Sequence, residues 1–181
     1  MMPPPDSPQQ RRAVFWDRDG TLMHDAGYCS DPADVRAIAG VAKALAALRA
    51  AGWLNIIITN QSGIGRGYHT VEDYEAVNRE LFRQLDFTPD AVYYAPDAPP
   101  AVSRRRKPGI GMLEEARDHF GIDFAQSWMV GDKPLDIAAG RAAGCRTILV
   151  LTGYGTAHAD CGADFTAADA AVAAHIILDT P

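Results

Sequence analysis

The sequence predicts an α/β fold in which a parallel sheet is covered by helices. Three observations carry this. Short apolar runs alternate with longer segments of helical periodicity along most of the chain. Ile56, Ile57 and Ile58 stand in succession, a β-branched block suited to a strand buried on both faces. Polar residues follow directly on the apolar runs, where an open parallel sheet presents its carboxyl ends.

Strands are expected over residues 13–16, 54–58, 91–94, 128–130 and 147–151. Helices are expected over 41–51, 71–85, 112–120, 136–143 and 167–178. In the first helix Val41, Leu45 and Leu48 fall at helical spacing, and Gly52 stands where a C-terminal cap belongs. Thr70 and Asp73 offer a capping box for the second. Residues 94–108, rich in proline and arginine, read as one long connection, and such connections often carry function.

A chain of 181 residues, 48% hydrophobic, suits one domain, expected over residues 13–181. Residues 1–12 lack an apolar run, so they read as a disordered tail and not as a secretory signal. Cys29, Cys145 and Cys161 are far apart and odd in number, which points away from a disulfide framework and toward a reducing cytoplasm. The apolar runs are too short to span a membrane, and a net charge of −6 argues against general nucleic-acid binding.

Four segments after four strands carry the chemistry. They are Asp17-Arg18-Asp19-Gly20-Thr21, Thr59-Asn60-Gln61-Ser62, Arg106-Lys107-Pro108 and Gly131-Asp132-Lys133. Each alone would pass for a turn or a helix cap; their occurrence in order, one per strand end, is what points to a site. Asp17 ends its strand directly and is placed to attack phosphorus, splitting hydrolysis into two easier steps through an aspartyl-phosphate. Asp19 could protonate the leaving oxygen and later deprotonate water. Gly20 permits the sharp departure from the strand. Asp17 and Asp132 make a hard oxygen pair suited to Mg²⁺, while Lys107 and the Thr59 hydroxyl supply positive charge and a hydrogen bond to the phosphoryl group. Asp136, one helical turn after Asp132, is expected to orient Lys107 or a metal-bound water.

These segments resemble the haloacid dehalogenase (HAD) superfamily of phosphohydrolases. Within it, residues 16–22, 25–28, 59–67, 106–108 and 131–133 resemble the branch of D-glycero-D-manno-heptose 1,7-bisphosphate 7-phosphatases and histidinol-phosphate phosphatases. The resemblance implies a single Rossmann-like domain with five parallel strands in the order 5-4-1-2-3, helices on both faces and a minimal cap. It implies Asp17 as nucleophile, Asp19 as acid and base, and Mg²⁺ held by Asp17, the Asp19 carbonyl and Asp132. It also implies Thr59 and Lys107 on the phosphoryl group. Asp25, Tyr28, Asn60, Gln61, Ser62, Arg66, Arg106 and Lys133 would bind the substrate.

One departure from the branch is informative. The branch usually carries a zinc loop with Cys-x-His and Cys-x-Cys elements before Arg-Lys-Pro, whereas residues 95–106 here contain no cysteine and no histidine. No structural zinc is therefore expected.

The expected activity is Mg²⁺-dependent hydrolysis of a small sugar-like phosphate in carbohydrate metabolism, by a cytoplasmic monomer without nucleic-acid or membrane partners. A bisphosphate fits, since Arg104–Arg106 could hold a second phosphate. Heptose bisphosphate is the first choice and histidinol phosphate the second. A phosphomutase or phosphotransferase would need a larger cap to exclude water. A non-catalytic binding protein of this fold would typically have lost Asp17 or Asp19. His24 and His69 flank the motifs and are as readily surface or capping residues as substrate contacts, and the loop around Tyr154 has no assigned role.

Overall fold

The structure, a computed structural model, describes residues 10–101 and 103–180. Among the described residues, six strands form one parallel sheet: β1 (Ala13–Trp16), β2 (Leu54–Asn60), β3 (Ala91–Ala95), β4 (Trp128–Gly131), β5 (Arg146–Val150) and β6 (Phe165–Ala167). Their order is β3-β2-β1-β4-β5-β6. This corrects the expectation of five strands: read from β5 to β3 the order 5-4-1-2-3 stands, and β6 is added beyond β5. The extra strand pairs Ile148 with Phe165 and Val150 with Ala167. It occupies the start of the segment expected to be helical from residue 167, so the final helix begins later, at Ala170.

The helices are α1 (Val41–Ala50), α2 (Ser62–Gly65), α3 (Val71–Leu85), α4 (Gly111–Phe120), α5 (Pro134–Ala143) and α6 (Ala170–Asp179). Alternation along the strands divides the core in two. Val14 and Trp16 of β1 face a cluster with Leu45 and Leu48 of α1, Val77 and Leu81 of α3, and Ala173 and Ile177 of α6. Ala13 and Phe15 face the other way, onto Met112, Leu113 and Ala116 of α4 and Ala139 of α5. A strand with helices on both sides has no polar face, and β1 and β4 are buried at every position. Trp16, directly before Asp17, is fully buried and its indole N–H donates to Asn55 Oδ1 at 3.1 Å.

The capping box of α3 forms as expected, with Thr70 accepting from Asp73 N and Asp73 accepting from Thr70 N. Of the tail expected over 1–12, residues 1–9 lie outside the described residues. Arg11 is bridged to Ile122, and Arg12 lies over the Trp53 ring with its guanidinium donating to Ala51 O. Those two residues are therefore part of the folded body. Among the described residues, no helix is long and apolar enough to cross a membrane.

Candidate active site

β1 delivers Asp17, and the ladder continues one residue further: Asp17 N donates to Val130 O at 2.9 Å. The chain then turns at Gly20, which adopts φ +85. A Cβ there would collide with Asp132 Oδ2, and a Cβ on Gly153 would collide with the same oxygen and approach Gly20 Cα. Two glycines thus let the loops after β1 and β5 close on the carboxylate that follows β4. Thr152 Oγ1 donates to Gly20 O at 2.6 Å, and Tyr154 N donates to Asp132 Oδ2 at 2.8 Å. The loop after β5, which had no assigned role, fastens Asp132.

Lys107 lies at the centre of the site and is 1% exposed. Its Nζ stands 2.6 Å from Asp17 Oδ1 and 2.7 Å from Asp136 Oδ1, and it donates to Ile58 O at 2.7 Å. The ammonium thus sits among three oxygens, two of them on carboxylates. Burial opposes its charge, but Asp136 and Asp17 outweigh burial and raise its pKa. Asn60 clamps the backbone of Lys107 from both sides, accepting from Lys107 N at 2.9 Å and donating to Lys107 O at 3.1 Å. Asp136 is itself fixed, because its Oδ2 accepts from Lys133 N at 3.0 Å at the start of α5. The residue one helical turn after Asp132 is thus paired with Lys107.

One carboxylate oxygen from each of Asp17, Asp132 and Asp136 lies within 4.8 Å of the others. Burial pushes Asp17 up to about 7, with Lys107 only partly opposing, and pushes Asp132 up to about 6. Asp132 Oδ1 is buried without a hydrogen-bond partner among the described residues. A buried acceptor aimed at neighbouring carboxylates is a position for a hard cation. The donor set fits Mg²⁺.

Asp19 is held differently. Arg18 grips it through two parallel hydrogen bonds, Nε to Oδ2 at 3.1 Å and Nη2 to Oδ1 at 3.0 Å. Gln61 Nε2 donates to Asp19 Oδ2 at 2.9 Å and to Thr59 Oγ1 at 2.9 Å, tying the two candidate catalytic groups together. Burial would raise the Asp19 pKa, but the Arg18 ion pair and these hydrogen bonds lower it on balance. Arg18 is buried in turn, donating from Nη1 to Asn78 Oδ1 at 2.9 Å and lying over the Tyr74 ring, both on α3. Two neighbouring carboxylates therefore meet opposite environments: in the metal-free protein burial favours a proton on Asp17, while the Arg18 pair favours the ion at Asp19.

These groups open into a cavity of about 290 Å³. Of the residues expected to bind substrate, Asp25, Tyr28, Asn60, Gln61, Ser62, Arg106 and Lys133 all line it. Lys133 donates to Asp25 Oδ2 at 3.2 Å and sits over the Tyr154 ring, joining the loops after β1, β4 and β5 at the rim. Arg66 departs from the expectation: it is exposed at the end of α2 and is not among the lining residues. The arginine run is also divided, since Arg104 and Arg105 pair with Glu114 and Glu115 of α4 and only Arg106 lines the cavity. His24 is exposed, whereas His69 is buried with its ring against Gly63. Arg18, Asn78 and Tyr154 were not singled out as site residues. Arg18 carried a signal, since it lies between the two aspartates.

Residues 104–177 match the HAD-hydrolase-like family. The chain is 41% identical to the D-glycero-beta-D-manno-heptose-1,7-bisphosphate 7-phosphatase of Haemophilus ducreyi, over 79% of this chain and 85% of that protein. It is 40% identical to the enzyme of the same name from Escherichia coli K12, over 78% and 80%. The crystal structure of D,D-heptose 1,7-bisphosphate phosphatase from B. bronchiseptica, complexed with magnesium and phosphate, superposes with a TM-score of 0.86 at 30% identity. It covers 92% of this chain and 98% of that one.

Proposed function

Because the chain belongs to the HAD-like hydrolases, in the family of heptose 1,7-bisphosphate 7-phosphatases, we propose that it hydrolyses the 7-phosphate of D-glycero-D-manno-heptose 1,7-bisphosphate with Mg²⁺ and Asp17. The observation that carries this reading is the buried Asp17 carboxylate at the end of β1, held at one oxygen by Lys107 and left free to attack with the other.

The substrate phosphate enters the cavity that Asp17 and Lys107 line together. Asp17 Oδ2 attacks phosphorus in line with the sugar oxygen, while Asp19, which its Arg18 pair keeps ionised in the free protein, takes the proton of the incoming phosphate monoanion and passes it to that departing oxygen. Lys107 and the Thr59 hydroxyl meet charge developing on the phosphoryl oxygens. Asp19, now ionised and gripped by Arg18 and Gln61, takes a proton from the water that attacks the aspartyl-phosphate. Asp17, Asp132 and the Asp19 carbonyl would hold Mg²⁺, which when bound offsets the repulsion between carboxylates and phosphate and polarises the phosphoryl group. The enzyme acts as a cytoplasmic monomer on a small phosphorylated metabolite and takes no structural zinc.

Phosphate release from a panel of sugar phosphates tests the reading. Heptose 1,7-bisphosphate is expected to give the highest kcat/KM, well above histidinol phosphate, and only with Mg²⁺ present. A chain inactive on every phosphomonoester would overturn it.

The buried carboxylates also predict a pH dependence. Asp17 at about 7 and Asp132 at about 6 both lie above the ordinary 3.8. The metal-free folded state therefore binds more protons than the unfolded chain between about pH 4 and 7, so these groups destabilise it as pH rises through that window. Bound Mg²⁺ would favour the ionised forms of these carboxylates and so compete with those protons. The Mg²⁺-induced rise in Tm should be small near pH 5, about one unit below the Asp132 value, and large near pH 8, about one unit above the Asp17 value. An equal rise at both pH values would contradict the assignment of these carboxylates to the metal.

A further inference from the structure

Three consecutive arginines meet three different fates. Arg104 Nη2 lies 2.6 Å from Glu114 Oε2, and Arg105 Nε lies 3.3 Å from Glu115 Oε1. Arg106 has no carboxylate partner among the described residues and lines the catalytic cavity beside Asn60 and Lys107. Its Nη1 donates to the Asp97 carbonyl at 3.0 Å, and its backbone N donates to Ser103 Oγ at 3.3 Å. The Ser103 hydroxyl closes the ring by donating to Asp97 Oδ2 at 2.8 Å.

This ring is anchored to the body of the protein. Gly65 N at the end of α2 donates to Pro96 O at 3.0 Å, and a Cβ on Gly65 would meet Pro96 O at 2.5 Å and Ala98 N at 3.1 Å. Asp97 therefore sits in a segment pressed against α2, and Lys107, next to Arg106, is fixed by Asn60. A guanidinium carries five N–H donors. One of them is spent on Asp97 O, which sets the plane of the group and leaves a fork for a planar or tetrahedral anion.

We propose that Asp97 and Ser103 are positioning residues that preset Arg106 to bind a second, unreacting phosphate of the substrate. The inference rests on the phosphatase reading above. Arginine has a long, flexible side chain, and ordering it before the substrate arrives removes part of the entropy cost of binding. The second phosphate does not change in the reaction, so the contact stabilises ground and transition states alike. Its loss belongs in KM and not in kcat.

The test compares heptose 1,7-bisphosphate with p-nitrophenyl phosphate, which has one phosphate only. Ser103→Ala is expected to raise KM for the bisphosphate about fivefold, the size of one hydrogen bond, with kcat unchanged. The same variant should hydrolyse p-nitrophenyl phosphate as the wild type does. Ser103→Thr, which keeps a hydroxyl, should recover most of the loss, as should Asp97→Asn relative to Asp97→Ala. Arg106→Ala should raise the bisphosphate KM further, and Ser103→Ala added to it should cost nothing more, because Ser103 acts through Arg106. An unchanged KM in Ser103→Ala, equal losses on both substrates, or additive losses in the double variant would overturn the proposal while leaving the phosphatase reading intact. A wild type that releases phosphate from neither compound would overturn both.

Discussion

Asp17→Asn is expected to lower kcat by roughly 10⁴-fold or more while leaving the fold intact. An amide is too weak a nucleophile to form the phosphoryl-enzyme, and no other carboxylate stands in for it. Asp132 is held by the Tyr154 amide and faces the cation position, Asp136 is bound to Lys107 and to the start of α5, and Asp19 is gripped by Arg18. Stability should change little at neutral pH. The substituted amide is neutral, as burial already favours for Asp17 in the metal-free protein, and Lys107 keeps Asp136 and the Ile58 carbonyl. Phosphate release and circular dichroism on the same sample check both halves. Activity within about tenfold of wild type would remove Asp17 from the reaction.

Lys107→Met is expected to damage stability and activity together. The lysine holds two buried carboxylates and a backbone carbonyl at once. Methionine fills similar volume but leaves those acceptors unpaired, and removing one partner of a buried ion pair costs about 3–5 kcal/mol. Asp17, already pushed up to about 7 by burial, can escape the penalty by taking a proton, so the destabilisation should shrink as pH falls below about 7. Activity should fall by roughly 10²-fold or more even in the folded fraction, because the positive charge facing the phosphoryl oxygens is gone. Urea unfolding at two pH values, with kcat measured below the transition, separates the two effects. A variant as stable as wild type at neutral pH would mean that Lys107 does not neutralise the buried pair.

What the sequence made legible was local. Asp17, Asp19, Thr59 and Asp132 stand at the ends of apolar runs or within a few residues of them, and the strand that ends there is enough to aim each one. Asp136 could be placed because one helical turn relates it to Asp132. Contacts between distant segments left no such mark. Arg18 meets Asn78 and Tyr74 only because α3 packs beside β1, and Tyr154 reaches Asp132 only because two glycines allow the loops to touch. The arginine run looked uniform as a string, and it was the start of α4 that took Arg104 and Arg105 away. Asn60 lines the cavity as expected, but its amide is engaged by the Lys107 backbone, a pairing that spans two strand ends. β6 escaped because three residues at a sheet edge, next to an alanine-rich helix, carry almost no periodic signal. The residues of the candidate site could thus be located from strand ends, and the scaffold that orients them could not.

The central claim is that Asp17 carries the phosphoryl group. It is tested most directly by quenching the enzyme during turnover with borohydride, which reduces an acyl phosphate to the alcohol, and mapping the modified residue by peptide mass spectrometry. Homoserine at position 17, absent without substrate, is the predicted result. Homoserine at another carboxylate, or none while phosphate is being released, would contradict it.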